Sequence, residues 1–159
     1  MKLAGGYDWD QNTLDMSADA EVSSLSELLS AFKINGVSGS ATLQAAVSGP
    51  VLDPNVEGRL SVRKLGVQNF SVGDLDAAAE FKGGELQVPR LALANGASVV
   101  SLSGRVGLFD PQSHQVLADP VLDFEFTDAR VYLDDFLPEI SGRMQISGGV
   151  TGSLENPEG

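Results

Sequence analysis

Alternating apolar and polar residues run along most of this 159-residue chain. Between Ser40 and Ser48 the apolar side chains fall at every second position, and the same period returns further on. A period of two is typical of a strand with one buried face. We predict a common inner face made of Ala41, Leu43, Ala45, Val47, Leu60, Val62, Leu75, Ala77, Ala79, Phe81, Leu86, Val88, Leu102, Val106, Phe124, Phe126, Met144 and Ile146.

Short turn signals separate the strands, such as "KGGE" at 82–85 and "ANGAS" at 94–98. Strands then follow one another about every ten residues, which is too close for crossover helices. The sequence therefore predicts a mainly β, antiparallel fold.

Two short helices interrupt this pattern. Ser24 with Glu27 three residues later forms a capping-box pattern, and a helix is predicted from Ser24 to Phe32. Its apolar face would carry Val22, Leu25, Leu29 and Phe32. "LDDFLP" at 133–138 predicts a shorter second helix that Pro138 ends.

Charge and cysteine content exclude several classes of partner and chemistry. The chain has 22 acidic and 10 basic residues, for a net charge of −12, which disfavours nucleic acid and anionic lipid headgroups as surface partners. It has no cysteine, so disulfides, thiolate catalysis and cysteine zinc sites are excluded. Neither a signal-peptide core nor a run of about 18 apolar residues occurs, so a membrane anchor or export signal would lie outside these residues.

The sequence predicts no catalytic residue, no metal ligand and no cofactor, and thus a non-enzymatic role. The one histidine, His114, has no motif partner, and the chain has no G-x-S-x-G, P-loop or Rossmann pattern. "YDWD" at 7–10 could stack a sugar or hold calcium, although a strand end is the favoured interpretation. Asp134 and Asp135 could ligate a cation, but carboxylates near a helix start are also favourable electrostatically.

A long internal repeat organises the chain. Three turn positions recur at a constant spacing of 103 residues (142 − 39, 152 − 49, 157 − 54): Gly39, Gly49 and Pro54 return as Gly142, Gly152 and Pro157. The upstream segments also match, Leu14-Asp15 with Leu122-Asp123 and "LSELL" with "LDDFL". Such repetition is typical of stacked architectures. We expect residues 1–159 to be one β-rich segment of a longer repeat protein, with a repeat unit at about 14–121 and the start of the next at about 122–159.

The segment 48–108 resembles the repeat of the AsmA-like family of bacterial envelope proteins. That repeat contains a "G-x-[LV]-x-x-P" turn, a "G-x-L-x-[LV]" strand, a "[LV]-x-[LV]-G-x-L" stretch, a "GG-x-L-x-[LV]" hairpin and a closing "L-x-[LV]-x-G" strand. The corresponding segments here are Gly49 to Pro54, Gly58 to Val62, Val72 to Leu75, Gly83 to Val88 and Leu102 to Gly104. The second copy extends the resemblance over nearly the whole chain.

The resemblance implies an antiparallel sheet curled lengthwise into a β-taco, an open trough with an apolar concave face. It implies a periplasmic segment of an inner-membrane-anchored protein of a Gram-negative bacterium, which bridges the two membranes. The predicted inner-face residues would then contact phospholipid acyl chains. Further expected partners are an outer-membrane barrel of the BamA type and neighbouring repeats of the same chain, and an isolated segment could associate with itself edge to edge.

Two alternatives remain open from the residues. The alternating faces could close on one another as an ordinary β-sandwich core. The chain could also belong to an exported β-solenoid or adhesin-like surface protein, although repeats of about 20 to 30 residues without a capped helix would then be expected.

Overall fold

The computed structural model describes residues 1–68, 70–109, 115–137, 139–153 and 157–158. These residues form eleven strands, one α-helix and one 3-10 turn. The strands are β1 (Lys2–Asp8), β2 (Thr13–Val22), β3 (Val37–Pro50), β4 (Asn55–Val67), β5 (Phe70–Lys82), β6 (Glu85–Asn95), β7 (Ser98–Phe109), β8 (Val116–Tyr132), β9 (Arg143–Gln145), β10 (Gly148–Ser153) and β11 (Pro157–Glu158). The helix α1 spans Leu25–Ser30, and the 3-10 turn spans Leu133–Asp135.

All of the described strands belong to one antiparallel sheet, so the predicted fold class is confirmed. Strands β1 to β8 lie side by side in chain order, and β10 and β11 continue the sheet beyond β8. Strand β9 pairs with β8 next to β10. This order follows from the short turns, which let each strand pair with the one before it.

The pairing register separates an apolar face from a polar face. Leu43 on β3 lies opposite Ala20 on β2 and Leu60 on β4. The next residue, Gln44, lies opposite Asp19 and Arg59. Because partners across strands share a face and successive residues alternate, one face is aliphatic and the other is charged.

No second layer covers the apolar face within the described part of the chain. Apart from α1 against β3, extensive contacts join only strands that are neighbours in the sheet. Among the described residues, Val62 (6% exposed) and Ala129 (2%) are the only fully buried hydrophobic side chains. The closed-sandwich alternative is therefore not the observed fold. Most other side chains of this face are half-buried, because they shield one another as on the inner side of a curled sheet.

The predicted first helix is present and shorter than expected. Ser24 is its N-cap and accepts a hydrogen bond from the Glu27 backbone N–H at 3.3 Å, as the capping pattern predicts. The helix ends at Ser30 because Lys33 takes a left-handed conformation, with φ of 62°. The prediction that Phe32 completes the packed helical face was wrong, since its side chain is 68% exposed.

Two other expectations need correction. The second predicted helix is only the 3-10 turn at Leu133–Asp135, and its predicted end, Pro138, lies outside the described residues. The alternation of Met144, Ile146 and Val150 also predicts one continuous strand, and the structure divides it into β9 and β10. The break falls before Gly148, whose φ of 133° interrupts the regular pleat.

Candidate functional site

The apolar face consists of rows of side chains that cross the strands. Each row joins residues that lie opposite one another in consecutive strands, apart from Ala79 and Val88, which lie at a register shift between β5 and β6. The first row is Met16, Val47, Val56, Phe81, Leu86, Val106 and Leu122; the second is Ala18, Ala45, Gly58, Ala79, Val88, Gly104 and Phe124. The third is Ala20, Leu43, Leu60, Ala77, Leu91, Leu102 and Phe126; the fourth is Val22, Ala41, Val62, Leu75, Leu93, Val100 and Ala129.

These rows bring together the inner-face residues predicted from the sequence. Every predicted residue between Ala41 and Phe126 belongs to one of the four rows. Met144 lies opposite Val131 at the β8–β9 pair, beside the fourth row. Ile146 follows β9, and its backbone N–H donates to the Ala129 carbonyl at 2.9 Å.

Strand β2 contributes apolar residues that the sequence prediction left out. Its Met16, Ala18 and Ala20 extend three rows by one strand. Val22 extends the fourth, so the prediction that it belongs to the helical face was wrong, since it ends β2 opposite Ala41. The sequence does contain the pattern of this strand, because "LDMSADAEV" at 14–22 alternates apolar and polar residues with a period of two. Gly58 was also missed, since a glycine carries no apolar signal of its own.

The second row forms a shallow furrow along the sheet. Ala18, Ala45, Gly58 and Ala79 follow one another across β2 to β5, and each has at most a methyl side chain. Larger residues flank them along the whole first row, from Met16 to Phe81. In the third row only Leu43 and Leu60 are larger, since β2 and β5 carry Ala20 and Ala77 there. Three inter-strand spacings make this small-residue row about 14 Å long. A lipid leaflet's hydrocarbon is about 15 Å deep, so an acyl chain has a similar length.

The furrow changes character from β6 onward. Val88 of β6 interrupts the small residues, and although Gly104 of β7 is small, the Phe124 ring of the next strand lies against it. The Phe81 ring of β5, in the first row, contacts the Phe109 ring of β7 edge to face, with ring centroids 5.8 Å apart. Aromatic rings thus border the furrow on the β5–β8 side.

The opposite face carries the charged residues. Arg63 donates two hydrogen bonds to Asp76, at 3.0 and 2.9 Å, and Ser61 donates a third at 2.5 Å. The Arg63 and Ser61 hydrogen bonds hold the pKa of the Asp76 carboxyl below its usual range. Arg105 and Asp123 pair directly across β7 and β8 at 3.0 Å. These cross-strand pairs favour the observed register and leave the apolar face without paired charges.

Asp135 has a structural role that the sequence did not suggest. Its carboxylate accepts hydrogen bonds from the Ala97 N–H at 3.0 Å, the Ser98 N–H at 2.7 Å and the Ser98 hydroxyl at 2.6 Å. The Ser98 hydroxyl also accepts from the Tyr132 N–H at 2.8 Å, and Ser98 is only 2% exposed. Asp135 therefore fastens the 3-10 turn to the β6–β7 turn, and its Oδ2 atom accepts all three of these hydrogen bonds.

The "YDWD" segment forms the end of β1 and the turn that follows. Asp8 accepts hydrogen bonds from the Asp10 and Gln11 backbone N–H groups at 2.9 and 3.0 Å. The Tyr7 hydroxyl donates to the Asn12 side-chain oxygen, and the Tyr7 and Trp9 rings meet edge to face. These contacts explain the segment as a closed turn.

The described residues contain no group of three or more histidine, cysteine or carboxylate side chains placed to hold a metal ion. His114 lies outside the described residues. Neither α1 nor the 3-10 turn, the helical elements of the described chain, has the length and apolar character needed to cross a membrane.

Comparison with known proteins gives no relative for this chain. No protein-family model, curated protein or solved structure matches it.

Proposed function

We propose that this chain is a non-enzymatic, periplasmic segment of an AsmA-like protein, similar to TamB, the inner-membrane subunit of the translocation and assembly module. Its apolar β groove would carry phospholipid acyl chains between the inner and outer membranes. The same protein would assist the assembly of outer-membrane proteins, including autotransporters, together with a BamA-type barrel.

The observation that carries the proposal is an apolar face that no second layer covers within the described residues, where only α1 adds contacts to β3. A soluble domain normally buries such a face against a second layer, because exposed aliphatic surface costs free energy in water. Here the side chains of four rows line one open surface, and residues such as Leu43 remain 45% exposed. A large exposed apolar surface is typical of a site that binds a lipid or a protein partner.

The furrow favours a lipid chain as the occupant. Ala18, Ala45, Gly58 and Ala79 leave room beside the larger side chains of the first row and beside Leu43 and Leu60 of the third. An acyl chain in this space would be stabilised by about 0.8 kcal/mol for each buried methylene. The absence of charged side chains from these rows also matches a ligand that is uncharged along its length.

The location of the charges is compatible with one-sided lipid contact. Ion pairs such as Arg63 with Asp76 lie on the other face, which stays in water. A lipid headgroup would remain at the open side of the groove, where water can solvate it. The family resemblance is the basis for the periplasmic location and for the BamA-type partner.

Lipid capture by the purified chain tests this function. The chain would be mixed with vesicles of phosphatidylethanolamine and phosphatidylglycerol that contain a phospholipid with a fluorescent acyl chain, and lipid bound to protein would be separated and measured. We expect Ala79→Arg and Leu102→Arg to lose bound lipid, because a cation on the apolar face opposes acyl burial. Ser103→Arg on the polar face is the matched control.

Circular dichroism shows whether each variant retains its fold. Folded wild-type protein that captures no lipid, or capture that the inner-face arginines leave unchanged, would contradict the proposal. The first of these outcomes would favour the alternative of an exported β-solenoid or adhesin-like surface fragment.

A further inference from the structure

The first strand of the sheet repeats the last strand of the repeat unit. The sequence "LAGGY" at 3–7 corresponds to "LSGRV" at 102–106. Within these segments Gly5 lies opposite Met16 in β2, and Gly104 lies opposite Phe124 in β8. Both glycines therefore occupy the same position relative to the strand that follows.

The surroundings of the two glycines agree in detail. A Cβ on Gly5 would lie 2.4 Å from the Asp15 carbonyl oxygen, and a Cβ on Gly104 would lie 2.3 Å from that of Asp123. Asp15 and Asp123 are themselves matched positions of the sequence repeat. The match between β1 and β7 thus rests on backbone geometry as well as on sequence.

The strands beyond them pair in the same way. Leu14 in β2 lies opposite Gly49 in β3, and the matched Leu122 in β8 lies opposite Gly152 in β10. Strand β11 then pairs with β10 through Gly152 and Pro157, the positions that match Gly49 and Pro54. Strands β1, β2 and β4 therefore correspond to β7, β8 and β11, and β3 corresponds to β9 and β10 together.

The two equivalent strands differ in what covers their other edge. Strand β6 pairs with β7, where Leu91 lies opposite Leu102 and Leu86 opposite Val106. Among the described strands only β2 pairs with β1, so the other edge of β1 is open. Every residue of β1 except Tyr7 is exposed. An open edge presents backbone donors and acceptors that a further strand can satisfy.

We propose that the open edge of β1 is a binding site for an antiparallel strand with the pattern of β6. The β6–β7 pair gives the register, since Leu3 and Tyr7 take the places of Leu102 and Val106. The incoming strand would place the residue equivalent to Leu91 opposite Leu3, and the residue equivalent to Leu86 opposite Tyr7. Its Leu and Val side chains would extend the rows of the apolar face by one strand.

A β6-type strand fits this edge better than a second copy of the whole chain. The outermost strands of a copy are β1 and β11, which correspond to β7 and β4. Neither of these strand types is paired with β7 in the sheet, whereas β6 is. Pairing of a β6-type strand with β1 does not depend on lipid transport.

Disulfide trapping with a synthetic peptide tests both the binding and the register. The chain has no cysteine, so Leu3→Cys and Tyr7→Cys each introduce a single thiol. The probe is a peptide with the sequence of β6, residues 85–95, carrying cysteine in place of either Leu91 or Leu86. The Cα atoms of opposed residues lie about 5 Å apart, within disulfide range. In the crossed pairs, Leu3 with the Leu86 position and Tyr7 with the Leu91 position, they lie about 13 Å or more apart.

We expect the Leu3→Cys chain to couple to the Leu91→Cys peptide, and the Tyr7→Cys chain to the Leu86→Cys peptide. The crossed combinations and a scrambled peptide should couple slowly. Equal coupling in all combinations, or coupling only in the crossed ones, would overturn the register. Disulfide-linked dimers of the Leu3→Cys chain in place of peptide adducts would show that a second copy covers the edge, and would overturn the proposal.

A second measurement does not depend on the cysteine variants. Hydrogen exchange of the unmodified chain should slow in the β1 amides when the β6 peptide is added, because a new strand would bond to them. Unchanged β1 exchange at saturating peptide would mean that the edge does not accept this strand.

Discussion

The Phe124 ring occupies the space that a side chain at Gly104 would need. A Cβ on Gly104 would lie 2.4 Å from the Phe124 Cδ1 atom and 2.3 Å from the Asp123 carbonyl oxygen. The glycine thus lets an aromatic ring of the neighbouring strand lie down on the sheet, a known way to stabilise a glycine within a strand.

This contact predicts different costs for two glycines of the same row. We expect Gly104→Ala to destabilise the fold by about 1 to 3 kcal/mol, because the new methyl group must displace backbone as well as the ring. Gly58→Ala should cost little, since the nearest atom to its Cβ, the Gln44 carbonyl oxygen, is 4.0 Å away. Urea unfolding measures both, and equal midpoints would contradict the close packing at Gly104.

Asp135 and its neighbour Asp134 give a second matched pair. Asp135→Ala would leave the buried Ser98 groups without their acceptor and should cost about 1 to 3 kcal/mol. Asp134→Ala, an exposed change beside it, should be nearly neutral. Thermal unfolding of the two variants compares them. A large loss in Asp134→Ala alone would contradict the contacts assigned to Asp135.

The Asp76 carboxylate predicts a pH dependence of stability. Its folded-state pKa is lowered by Arg63 and Ser61, so its contribution is present above the unfolded pKa of about 3.9 and is lost as pH falls through the lower folded value. The Asp76 side chain is 44% and the Arg63 side chain 47% exposed, so solvent screening keeps the pair's contribution to stability small.

Asp76→Asn should therefore be less stable than wild type near pH 6, and the difference should shrink below about pH 4. Urea unfolding across this range measures the effect. A difference that stays constant down to pH 2 would mean that ionisation of Asp76 does not contribute.

The small-residue row predicts that filling it blocks lipid. Gly58→Phe places a ring in the furrow, where its Cβ has ordinary contacts, and should reduce capture of fluorescent phospholipid severalfold without unfolding the sheet. Ala46→Phe places the same ring on the polar face and serves as the control. Equal lipid capture by both variants would show that the furrow is not the lipid path.

The sequence predicted the strands, their antiparallel order and most of the apolar face because the period of two is strong in this chain. The prediction was less accurate where one extra residue breaks that period. At β8 the spacing between matched residues of the two repeat copies changes. Leu14 and Leu122 are 108 residues apart (122 − 14), whereas Asp19 and Asp128, which also match, are 109 apart (128 − 19). The pairing shows the reason, since a register shift between Phe126 and Asp128 leaves Thr127 as an extra residue.

Long-range side-chain contacts could not be predicted in the same way. The hydrogen bonds from Ser98 to Asp135 join residues 37 positions apart, and neither residue has a local pattern that identifies the other. The length of α1 depended on the left-handed conformation of Lys33, a residue with no special preference for it. The openness of the apolar face was also undecided, because a sandwich and an open sheet share the same alternation.

Site-specific photo-crosslinking shows whether phospholipid acyl chains contact the apolar face in cells. A photoreactive residue would be placed at Leu43, Ala79 or Leu102 on the apolar face, and at Thr42, Glu80 or Ser103 on the polar face, in the full protein expressed in Gram-negative cells. We expect phospholipid adducts at the three apolar-face positions and none at the three polar-face positions. Adducts at neither set, or at both sets equally, would contradict a lipid groove on the apolar face of this sheet.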